Sequence, residues 1–458
     1  MSKKISKGPL ISVYITNHNY GKFLKKSIDS VLNQSLQNFE LIIIDDNSKD
    51  NSKQILEHYI NNPKIIIIYN QKKIGLNQNN NLALKIAKGR FFIRLDADDW
   101  MHPNCLEILS SKLLNDKKVG LVFPDYYLVD ENSEIFSQYQ RHDFNSVNLK
   151  DQPAHGACTM IRTRLLKNIG GYNKDFFCQD GYDLWIRFIQ KYKVKNVNLP
   201  LFYYRQHTRS LTKNIDTIQK TKSKILENFN SRNQNKNHFV GIISIIGDEK
   251  ENREINLKKI GKKTLLEWTI ESALRSKKLN KLIFTSPNHA INKFVKKKYK
   301  KKIKIITKSK HISLHNTSLS DTQNFIIKKL KTKKLKNLNI VQLFVRTPFK
   351  SQEDIDTAIN IFDTFKLDRL ISVVKTNSLL FKHDGNGLVS IQKDNQFLKL
   401  EREELYKQVQ AIEILNYKKI NKNIKNIRVG HSLLGEKSAF EIHNPIDFEI
   451  ANILQNNL

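Results

Sequence analysis

The stretch Phe91–Trp100, FFIRLDADDW, carries a mostly apolar run directly into three carboxylates. Short apolar runs of this kind are typical of buried strands. A buried strand does not continue through three acids without partners, because unpaired charge away from water costs several kcal/mol. We therefore expect the strand to end here, with Asp96, Asp98 and Asp99 at its carboxyl end, where open α/β sheets bind ligands. An acidic turn is the alternative interpretation, and the flanking sequence decides between the two.

Strand and helix patterns alternate on the amino-terminal side of this stretch. Apolar runs typical of strands occur at Leu10–Thr16, Phe39–Ile44 and Lys64–Tyr69. Helical patterns separate them at Phe23–Gln34, Ser52–Ile60 and Asn81–Lys88. Such alternation predicts a parallel sheet with helices on its faces.

The alternation restarts after a polar segment. Asn214–Phe229 has apolar residues spaced for one face of a helix, and Asn230–Asn237 has no apolar residue, which is typical of a linker. Further strand and helix patterns follow from Phe239 onward. We therefore predict an α/β chain of two Rossmann-like, mostly parallel sheet domains, residues 1–215 and 239–458, joined by a helix and linker at 216–238.

Charge and cysteine content limit the classes of partner. The formal net charge of the 458 residues is +34, which is typical of proteins that bind nucleic acid or anionic membranes. Lysine is spread through the chain, however, and the one concentrated block, Val295–Lys304, favours a solvated helix end. We therefore expect no specific nucleic acid partner, with peripheral contact to a membrane as an open alternative.

Cysteine spacing and hydropathy favour a cytoplasmic protein. The three cysteines show no metal-binding spacing, which is typical of free thiols in a reducing compartment. The first residues lack the apolar core of a signal peptide, and no apolar run reaches the roughly 18 residues needed to span a membrane. Attachment to the inner face of the membrane stays open.

Several motifs of the first half follow one another in a specific order. They are ISVYITNHNYG at 11–21, ELIIIDDNS at 40–48, IGLNQNNN at 74–81 and RLDADDW at 94–100. This series resembles the family 2 glycosyltransferases of GT-A fold over roughly the first 215 residues. The resemblance implies an inverting, metal-dependent hexosyltransferase that moves a sugar from a nucleotide-sugar donor, UDP-linked by expectation, to a glycan or lipid-linked acceptor in surface polysaccharide or glycan synthesis.

The resemblance assigns a donor side. Thr16 and Asn19 close the first strand where such enzymes hold the nucleotide. Asp45 or Asp46 resembles the acid that accepts the N–H of a pyrimidine base, a role that suits a carboxylate because it only accepts hydrogen bonds. Asp96 resembles the residue near the ribose. A helix cap is the alternative interpretation of the segment that follows the second strand.

The resemblance also implies a divalent cation. Asp98 resembles its ligand and Asp99 is a second candidate, and hard oxygen ligands favour Mg²⁺ or Mn²⁺. Such an ion neutralises the diphosphate leaving group. Arg205 and His207 resemble the family's closing Arg-x-His loop, which supplies positive charge and in some members a metal ligand. A surface ion pair is the alternative for Arg205.

One departure concerns the helix that precedes FFIRLDADDW. The family often has Arg followed by Asn there, whereas this chain has Asn80 and Asn81. Asn81 stays a predicted donor-binding residue, but the positive charge is missing. Lys73 and Arg94 are the candidates to replace it.

The acceptor side is predicted from two segments. Cys178–Arg187, CQDGYDLWIR, resembles the stretch that carries the catalytic base, and the spacing to the Leu-Trp pair places Asp180 on the family's Glu position. Asp183 is the reserve candidate, with a helix cap as its alternative role. His155, in PAHGACTMIR, lies where the family builds its acceptor side, and a structural histidine is the alternative.

The second half resembles the acylneuraminate (CMP-sugar) cytidylyltransferases over about 239–455. The family's triphosphate loop, Arg-Gly-Gly-Ser-Lys, is here Ile246–Lys250, so that two acids would face a polyanion and lower its affinity. Glu441 and His443 stand where the family has two metal-binding aspartates. The resemblance therefore implies a degenerate nucleotidyltransferase-like fold, whose remaining candidate binding residues are Lys250, Asn256, Arg346 and Lys350.

Two functions of the second half stay open. It either synthesises a CMP-activated acidic sugar, which would make the chain bifunctional, or it is a non-catalytic binding or assembly module. The second alternative predicts a homo-oligomer formed through this half.

Overall fold

The computed structural model describes residues 8–144, 147, 149–176, 178–207, 215–233, 237–245, 250–308, 318–329, 337–376, 378, 381–383, 388–390, 405–419 and 427–456. The chain divides into two compact units. The first comprises residues 1–225 and 381–402, and the second comprises residues 226–380 and 403–458. Each is built on its own mixed sheet, so the chain is an α/β protein.

The first unit alternates strands and helices as predicted. Its strands are β1 (Ile11–Asn17), β2 (Phe39–Asp45), β3 (Ile65–Tyr69), β4 (Phe91–Asp96), β5 (Trp100–Met101), β6 (Val119–Val129), β7 (Ile135–Tyr139), β8 (Met160–Arg162) and β9 (Lys193–Arg205). Its helices are α1 (Gly21–Leu32), α2 (Ser52–Glu57), α3 (Leu76–Ile86), α4 (Cys105–Asn115), α5 (Thr163–Asn168) and α6 (Asp180–Ile189). The described strands form one sheet in the order β3-β2-β1-β4-β8-β6-β9-β5, with β7 paired to β6.

The prediction of a mostly parallel sheet is wrong for half of this unit. The strands β1 to β4 pair in parallel. Beyond β4, however, β8 runs antiparallel to both of its neighbours, and β5 and β7 also pair antiparallel. The short turn between β6 and β7 explains part of the difference, because only antiparallel strands can be joined by a tight hairpin.

Both faces of the first sheet are buried. On one face, α1 packs Leu24, Ile28 and Val31 into a core that includes Val13 and Ile15 of β1. On the other face, residues of α3 and α6 pack on Tyr14, Ile42 and Phe92. Strands covered on both faces are apolar throughout rather than alternating, which is why the sequence pattern of β1, β2 and β4 is a continuous apolar run.

Seven α-helices are described from residue 215 onward. They are α7 (Ile215–Asn233), α8 (Lys250–Leu257), α9 (Leu265–Arg275), α10 (His289–Tyr299), α11 (Leu319–Lys329), α12 (Gln352–Thr364) and α13 (Pro445–Asn456). The remaining strands are β10 (His238–Ser244), β11 (Lys259–Ile260), β12 (Lys263–Thr264), β13 (Lys281–Thr285), β14 (Lys304–Ile305), β15 (Leu338–Leu343), β16 (Arg369–Thr376), β17 (Phe381–His383), β18 (Leu388–Ser390), β19 (Leu405–Asn416) and β20 (Val429–Leu433). The short hairpin β11–β12 stands apart from the large sheet of the second unit, whereas the hairpin β17–β18 lies in residues 381–402, which belong to the first unit.

The second large sheet is also mixed. Its order is β14-β13-β10-β15-β19-β16-β20. The first four strands are parallel, whereas β19 runs antiparallel to both β15 and β16. The sequence pattern predicted a parallel sheet here and missed the antiparallel strand β19.

The helix α7 runs four residues into the predicted linker. It ends at Asn233 rather than Phe229. Within these residues the buried Asn230 donates hydrogen bonds to the carbonyl of Asn360 and the hydroxyl of Thr364, both at 3.0 Å. A polar side chain that finds tertiary partners of this kind is stable inside the fold, although its sequence pattern is that of a linker. None of the described helices combines the length and the hydropathy needed to cross a bilayer.

Candidate active site

The carboxyl ends of β1, β2 and β4 meet at one edge of the first sheet. The strand β4 ends at Asp96, as its sequence predicts. The register pairs Thr16 with Asp96 and Asn17 with Asp45 on neighbouring strands. The polar residues that follow the three strands therefore lie side by side at the edge where parallel sheets bind ligands.

Asp45 closes the turn after β2. Its Oδ1 accepts a hydrogen bond from Asn17 Nδ2 at 2.8 Å, and its Oδ2 accepts one from the Ser48 N–H at 3.0 Å. Asn17 also donates to the Ser48 hydroxyl. Each Asp45 oxygen can accept a second hydrogen bond, so the carboxylate keeps acceptor capacity. Asn17 is a residue that the sequence argument passed over, because its neighbours Thr16 and Asn19 carried the resemblance.

Asp46 is held by the loop that leads into α3. It accepts the backbone N–H groups of Ile74 and Gly75 and the side-chain amide of Asn70, each at 2.8 Å. Burial raises the pKa of Asp46, but these donors outweigh it and lower the pKa below its ordinary value. The carboxylate is therefore ionised and fixed in place before any ligand arrives.

Asn19 and Asn81 are both engaged with backbone. Asn19 adopts a left-handed conformation, φ 60°, and its side-chain oxygen accepts the Lys49 N–H at 2.7 Å. Asn81 exchanges two hydrogen bonds with the backbone of Tyr172, at 2.8 and 2.9 Å. Asn81 thereby fixes the backbone of Tyr172, which lines the cavity described below. Tyr172 is a second residue that no sequence motif singled out.

The acidic turn after β4 brings Asp98 against His207. Asp98 Oδ2 lies 2.9 Å from His207 Nε2, and both side chains are largely buried. Asp99 faces elsewhere: its Oδ1 accepts the Arg205 N–H at 2.9 Å, and its buried Oδ2 has no hydrogen-bond partner among the described residues. Burial and the neighbouring acids Asp98 and Asp96 raise the pKa of Asp99 well above its ordinary value.

The chemistry of this pair fits a divalent cation. Carboxylate oxygen is a ligand that Mg²⁺ and Mn²⁺ favour, and the imidazole of His207 could add a nitrogen; the 2.9 Å between the two atoms is the length of a hydrogen bond. Among the described residues, no group of three or more His, Cys, Asp or Glu side chains is arranged to hold a metal ion. Asp98 and His207 are therefore a pair that could hold an ion and not a complete cage.

Arg205 is buried beneath the acidic turn. Its guanidinium donates to the carbonyls of Asp98, Asp130 and Glu131 at 2.8–3.0 Å and to the Ser133 hydroxyl at 3.1 Å. Only 2% of the residue is exposed. The arrangement ties the acidic turn to the β6–β7 turn. The structure thus shows Arg205 supporting the turn from below.

The predicted base lies in a network of buried charges. Asp180 opens α6, and its Oδ2 accepts from Arg94 Nη1 at 2.5 Å. Arg94 Nε lies 2.9 Å from Asp96 Oδ1. Burial raises the pKa of Asp96 to about 6, although Arg94 acts in the opposite direction. One guanidinium therefore links the acidic motif of β4 to the start of α6.

Asp183 differs from Asp180 in its partner. Arg187 donates to Asp183 Oδ2 from two nitrogens, at 2.6 and 2.9 Å, across one turn of the same helix. Arg187 also donates to the carbonyls of Ile169 and Gly171. This geometry is that of a structural ion pair, and Asp183 does not line the cavity described next.

A cavity opens beside Asp180. Its lining includes His155, Gly156, Tyr172, Gly181 and Trp185. The His155 ring packs against the rings of three aromatic residues, Tyr126, Phe202 and Tyr204. Burial, assisted by the nearby Arg94, lowers the pKa of His155 to about 3, so this histidine is neutral at physiological pH.

The predicted residues of the second unit differ in their burial. Lys350 is buried and donates to the Thr269 hydroxyl at 3.0 Å and to the carbonyls of Phe344 and Thr347 at 2.5 Å. Arg346 is exposed, whereas Asn256 is buried in α8. The side chain of Lys250 lies outside the described residues.

Buried polar groups do meet at the carboxyl edge of the second sheet. Gln342 donates to Ser244 at 3.1 Å, and Ser244 pairs in register with Thr285. Lys308, which follows β14, donates to Thr322 at 3.1 Å. Among the described residues no partner satisfies three buried atoms here, namely Thr285 Oγ1, Gln342 Oε1 and Gln323 Nε2.

Comparison with known proteins gives matches in the first half. Residues 12–170 match the family model of glycosyl transferase family 2. A glycosyltransferase of Methanocaldococcus jannaschii is 30% identical over 240 residues, which are 50% of this chain and 82% of that protein. Chondroitin synthase of Escherichia coli is 26% identical over 199 residues, 43% of this chain but only 29% of that synthase. A crystal structure of S. aureus TarS residues 1–349 in complex with UDP-GlcNAc aligns with a TM-score of 0.41 and 17% identity, covering 48% of this chain and 66% of that one.

Proposed function

The chain belongs to glycosyltransferase family 2 and is a glycosyltransferase that uses a nucleotide sugar, and on this premise we propose an inverting, metal-dependent enzyme of GT-A fold. The proposed reaction transfers a hexosyl group from a UDP-linked donor to a glycan or lipid-linked acceptor in surface polysaccharide or glycan synthesis. The observation that carries the proposal is the arrangement of two pairs, Asp98 with His207 and Asp180 with Arg94, linked through Asp96 at one sheet edge.

The donor side follows the carboxyl ends of β1 and β2. Asp46 supports the proposal because its acceptor oxygens are oriented by backbone N–H groups in advance. Asp45 supports it because it ends β2 at the same sheet edge and is oriented there by Asn17 and the Ser48 N–H. The other proposed donor-side residues are Thr16, Asn19, Asn81, Asp96 and Arg205.

Asp98 and His207 are the residues that would hold Mg²⁺ or Mn²⁺, with Asp99 as a further candidate. The bound ion would supply positive charge to the diphosphate leaving group. The chain's own contribution is to fix the two ligand atoms 2.9 Å apart. Arg205 contributes by holding the carbonyl of Asp98 from below.

Asp180 is the proposed base. In an inverting transfer the acceptor hydroxyl attacks the anomeric carbon while the bond to the diphosphate breaks, and its proton must pass to a base within hydrogen-bond reach. Asp180 lines the cavity, and Arg94 holds its carboxylate in place there. His155, neutral at this pH, is proposed to line the acceptor side.

The metal assignment is tested with Asp98→Ala. We expect donor turnover, measured as nucleoside diphosphate released with Mn²⁺ present, to fall about 100-fold or more, because one of two ligands is lost. The control is Asp175→Ala, which removes an exposed carboxylate of the same unit. Turnover of Asp98→Ala equal to that of the control would overturn the assignment.

The donor is identified by thermal unfolding with a panel of nucleotide sugars. A ligand that binds only the native state stabilises it by about 2.7 kcal/mol at 100 times its Kd. We expect UDP-linked sugars to raise the melting temperature most. Stabilisation by GDP- or CMP-linked sugars instead would contradict the assignment of the donor.

A second candidate function concerns the second unit. The unsatisfied buried atoms of Thr285 and Gln342, at the carboxyl ends of the parallel strands β13 and β15, support a polar ligand there. The proposal keeps its two forms, synthesis of a CMP-activated acidic sugar or a non-catalytic binding or assembly module.

Incubation of the full chain with CTP and a panel of nonulosonic acids separates the two forms. Pyrophosphate release that is lost in Lys308→Met would support synthesis. Binding of CTP or sugar without pyrophosphate release would support the module. If the chain neither binds CTP or sugar nor releases pyrophosphate, this result contradicts a ligand site in the second unit.

A further inference from the structure

Arg94 is a charged residue inside a buried strand. It lies in β4, and only 5% of it is exposed. Burying a guanidinium costs several kcal/mol unless it is paired and hydrogen-bonded, so its partners decide whether it is tolerated. Its side chain reaches two carboxylates from different parts of the chain, Asp96 on its own strand and Asp180, 86 residues away.

The third nitrogen of the guanidinium has no such partner. Nη1 donates to Asp180. Nε lies 2.9 Å from Asp96 Oδ1 as an ion pair without a hydrogen bond, and among the described residues no group accepts from Nη2. Nη2 lies against Gly156, where an added Cβ would collide with it. Gly156 lines the cavity beside Asp180. A buried donor that has no partner and adjoins a cavity indicates an acceptor oxygen supplied by a ligand.

Two glycines keep the space in front of this nitrogen open. Gly156 lies against Arg94, and a Cβ on Gly181 would meet Gly156 Cα at 3.4 Å. Both glycines line the same cavity as Asp180. Gly156, which carries no side chain, therefore separates Nη2 from the cavity that the Asp180 carboxylate lines.

We propose that Arg94 is the positioning residue of this site, which holds the Asp180 carboxylate toward the cavity through Nη1 and donates to an oxygen of the bound nucleotide sugar through Nη2. The inference rests on the proposed function and extends it. The oxygen belongs to either a sugar hydroxyl or a phosphate, because both accept from a guanidinium. Lysine cannot replace these contacts, since one nitrogen cannot reach three separate acceptors.

The first test compares Arg94→Lys with Arg187→Lys. Both substitutions keep the charge, and each changes an arginine that pairs with an aspartate of α6. Among the described residues, however, Arg187 donates only to Asp183 and to backbone carbonyls. We expect Arg94→Lys to lower kcat for donor turnover about 10- to 100-fold. Arg187→Lys is expected to stay within about threefold, because such a pair acts on stability.

A double-mutant cycle separates positioning from a general loss of structure. If Arg94 acts through Asp180, then Arg94→Lys added to Asp180→Asn lowers kcat by less than about threefold further, since interacting residues are not additive. A full second loss in the double variant, or equal losses in the Arg94→Lys and Arg187→Lys enzymes, would overturn the inference. If Arg94→Lys does not fold, Gly156→Ala gives the same readout from the opposite side of the contact.

The identity of the oxygen follows from how far UDP and UDP-GlcNAc, each with Mn²⁺, raise the melting temperature. If the panel of nucleotide sugars selects another donor, that donor and its nucleoside diphosphate take their place. If Arg94→Lys reduces the melting-temperature shift only for the nucleotide sugar, Nη2 donates to a sugar hydroxyl. If it reduces the shift for the nucleoside diphosphate as well, Nη2 donates to a phosphate. Shifts that equal those of wild type would overturn the ligand contact. A wild-type chain that neither binds nor hydrolyses any nucleotide sugar would instead overturn the proposed function, and this inference with it.

Discussion

Two Arg–Asp pairs on one helix illustrate what a single residue decides in this protein. Asp180 and Asp183 are three positions apart on α6, and each is buried against an arginine. Arg187 completes its hydrogen bonds on the carbonyls of Ile169 and Gly171, so that pair belongs to the scaffold. Arg94 Nη2 has no acceptor among the described residues and lies against Gly156, which lines the cavity. The resemblance separated the two acids of DGYD only by their spacing to the Leu-Trp pair, and the structure separates them by their arginine partners.

A methyl group at Gly156 tests how closely Arg94 is packed. In Gly156→Ala the new Cβ collides with the guanidinium, and relieving such a collision costs about 1–3 kcal/mol of unfolding free energy. We expect turnover to fall as well, because Arg94 must move away from Asp180. Gly435→Ala is the control, since nothing lies within 4 Å of its added Cβ. Urea unfolding and donor turnover that match this control would contradict the prediction.

Lys350 predicts a pH dependence of stability. Burial lowers its pKa to about 7, with Asp354 acting in the opposite direction, whereas the unfolded chain keeps a pKa near 10.4. Between about pH 7 and pH 10 the unfolded state therefore binds more protons, and this residue makes stability rise with pH, by up to about 1 kcal/mol per unit.

Urea unfolding at pH 7, 8 and 9 measures this contribution. We expect Lys350→Met to reduce the rise with pH, because its replacement cannot titrate. Lys281→Met, at an exposed lysine, serves as the control and is expected to keep the wild-type slope. Equal slopes in all three proteins would show that the pKa of Lys350 is not lowered.

At the scale of elements, the acidic turn is held by a very short strand. The strand β5 has two residues and directly follows Asp99. The Trp100 ring stacks on Tyr203 of β9 at 4.7 Å between ring centroids, and Tyr203 stacks on Tyr127 of β6 at 5.3 Å. The Arg205 guanidinium lies 4.9 Å from the Trp100 ring. The rings hold β5 on the sheet and so fix the turn that carries Asp98.

Replacing Trp100, the first ring of this row, by the smaller leucine should weaken metal binding. We expect Trp100→Leu to lose about 1–2 kcal/mol of stability and to raise the Mn²⁺ concentration for half-maximal turnover about 10-fold, because the Asp98 turn loosens. Tyr127→Leu removes the ring at the far end of the row. It is expected to lower stability similarly while the Mn²⁺ requirement stays unchanged. An equal change in the two requirements would argue against this role of β5.

At the scale of the whole molecule, the chain carries two separate cores. Each unit has its own sheet, and the described part of the second unit includes a core of Val240, Ile242, Ile283 and Ile340. Units with their own cores often unfold as separate cooperative transitions. Ligand binding to one unit stabilises that unit by mass action.

Calorimetry of the full chain is therefore expected to show two transitions. A stabilising nucleotide sugar with Mn²⁺ should raise only one of them, and Asp98→Ala should abolish that shift. CTP should affect the other transition if the second unit keeps a nucleotide site. A single transition that responds to both ligands would show that the two units unfold together.

The alternation of apolar runs and helical patterns determined much of the fold. It predicted β1 to β4 and β10, because strands covered on both faces must be apolar throughout. It also predicted that β4 ends at its acids, since unpaired carboxylates cannot stay in a core. The antiparallel strands β8 and β19 escaped prediction because strand direction depends on tertiary pairing and leaves no local pattern.

The sequence by itself determined the family and the acidic motif of the site, because these rest on residue types in a fixed order. Only the tertiary structure decided the partners: His207 against Asp98, Arg187 against Asp183, and Arg94 between Asp96 and Asp180. A buried charge is stable only beside groups that pair with it, and two of these four pairs, His207 with Asp98 and Arg94 with Asp180, join segments that are far apart in the chain. Which acid is free to act therefore depends on the fold that brings such segments together.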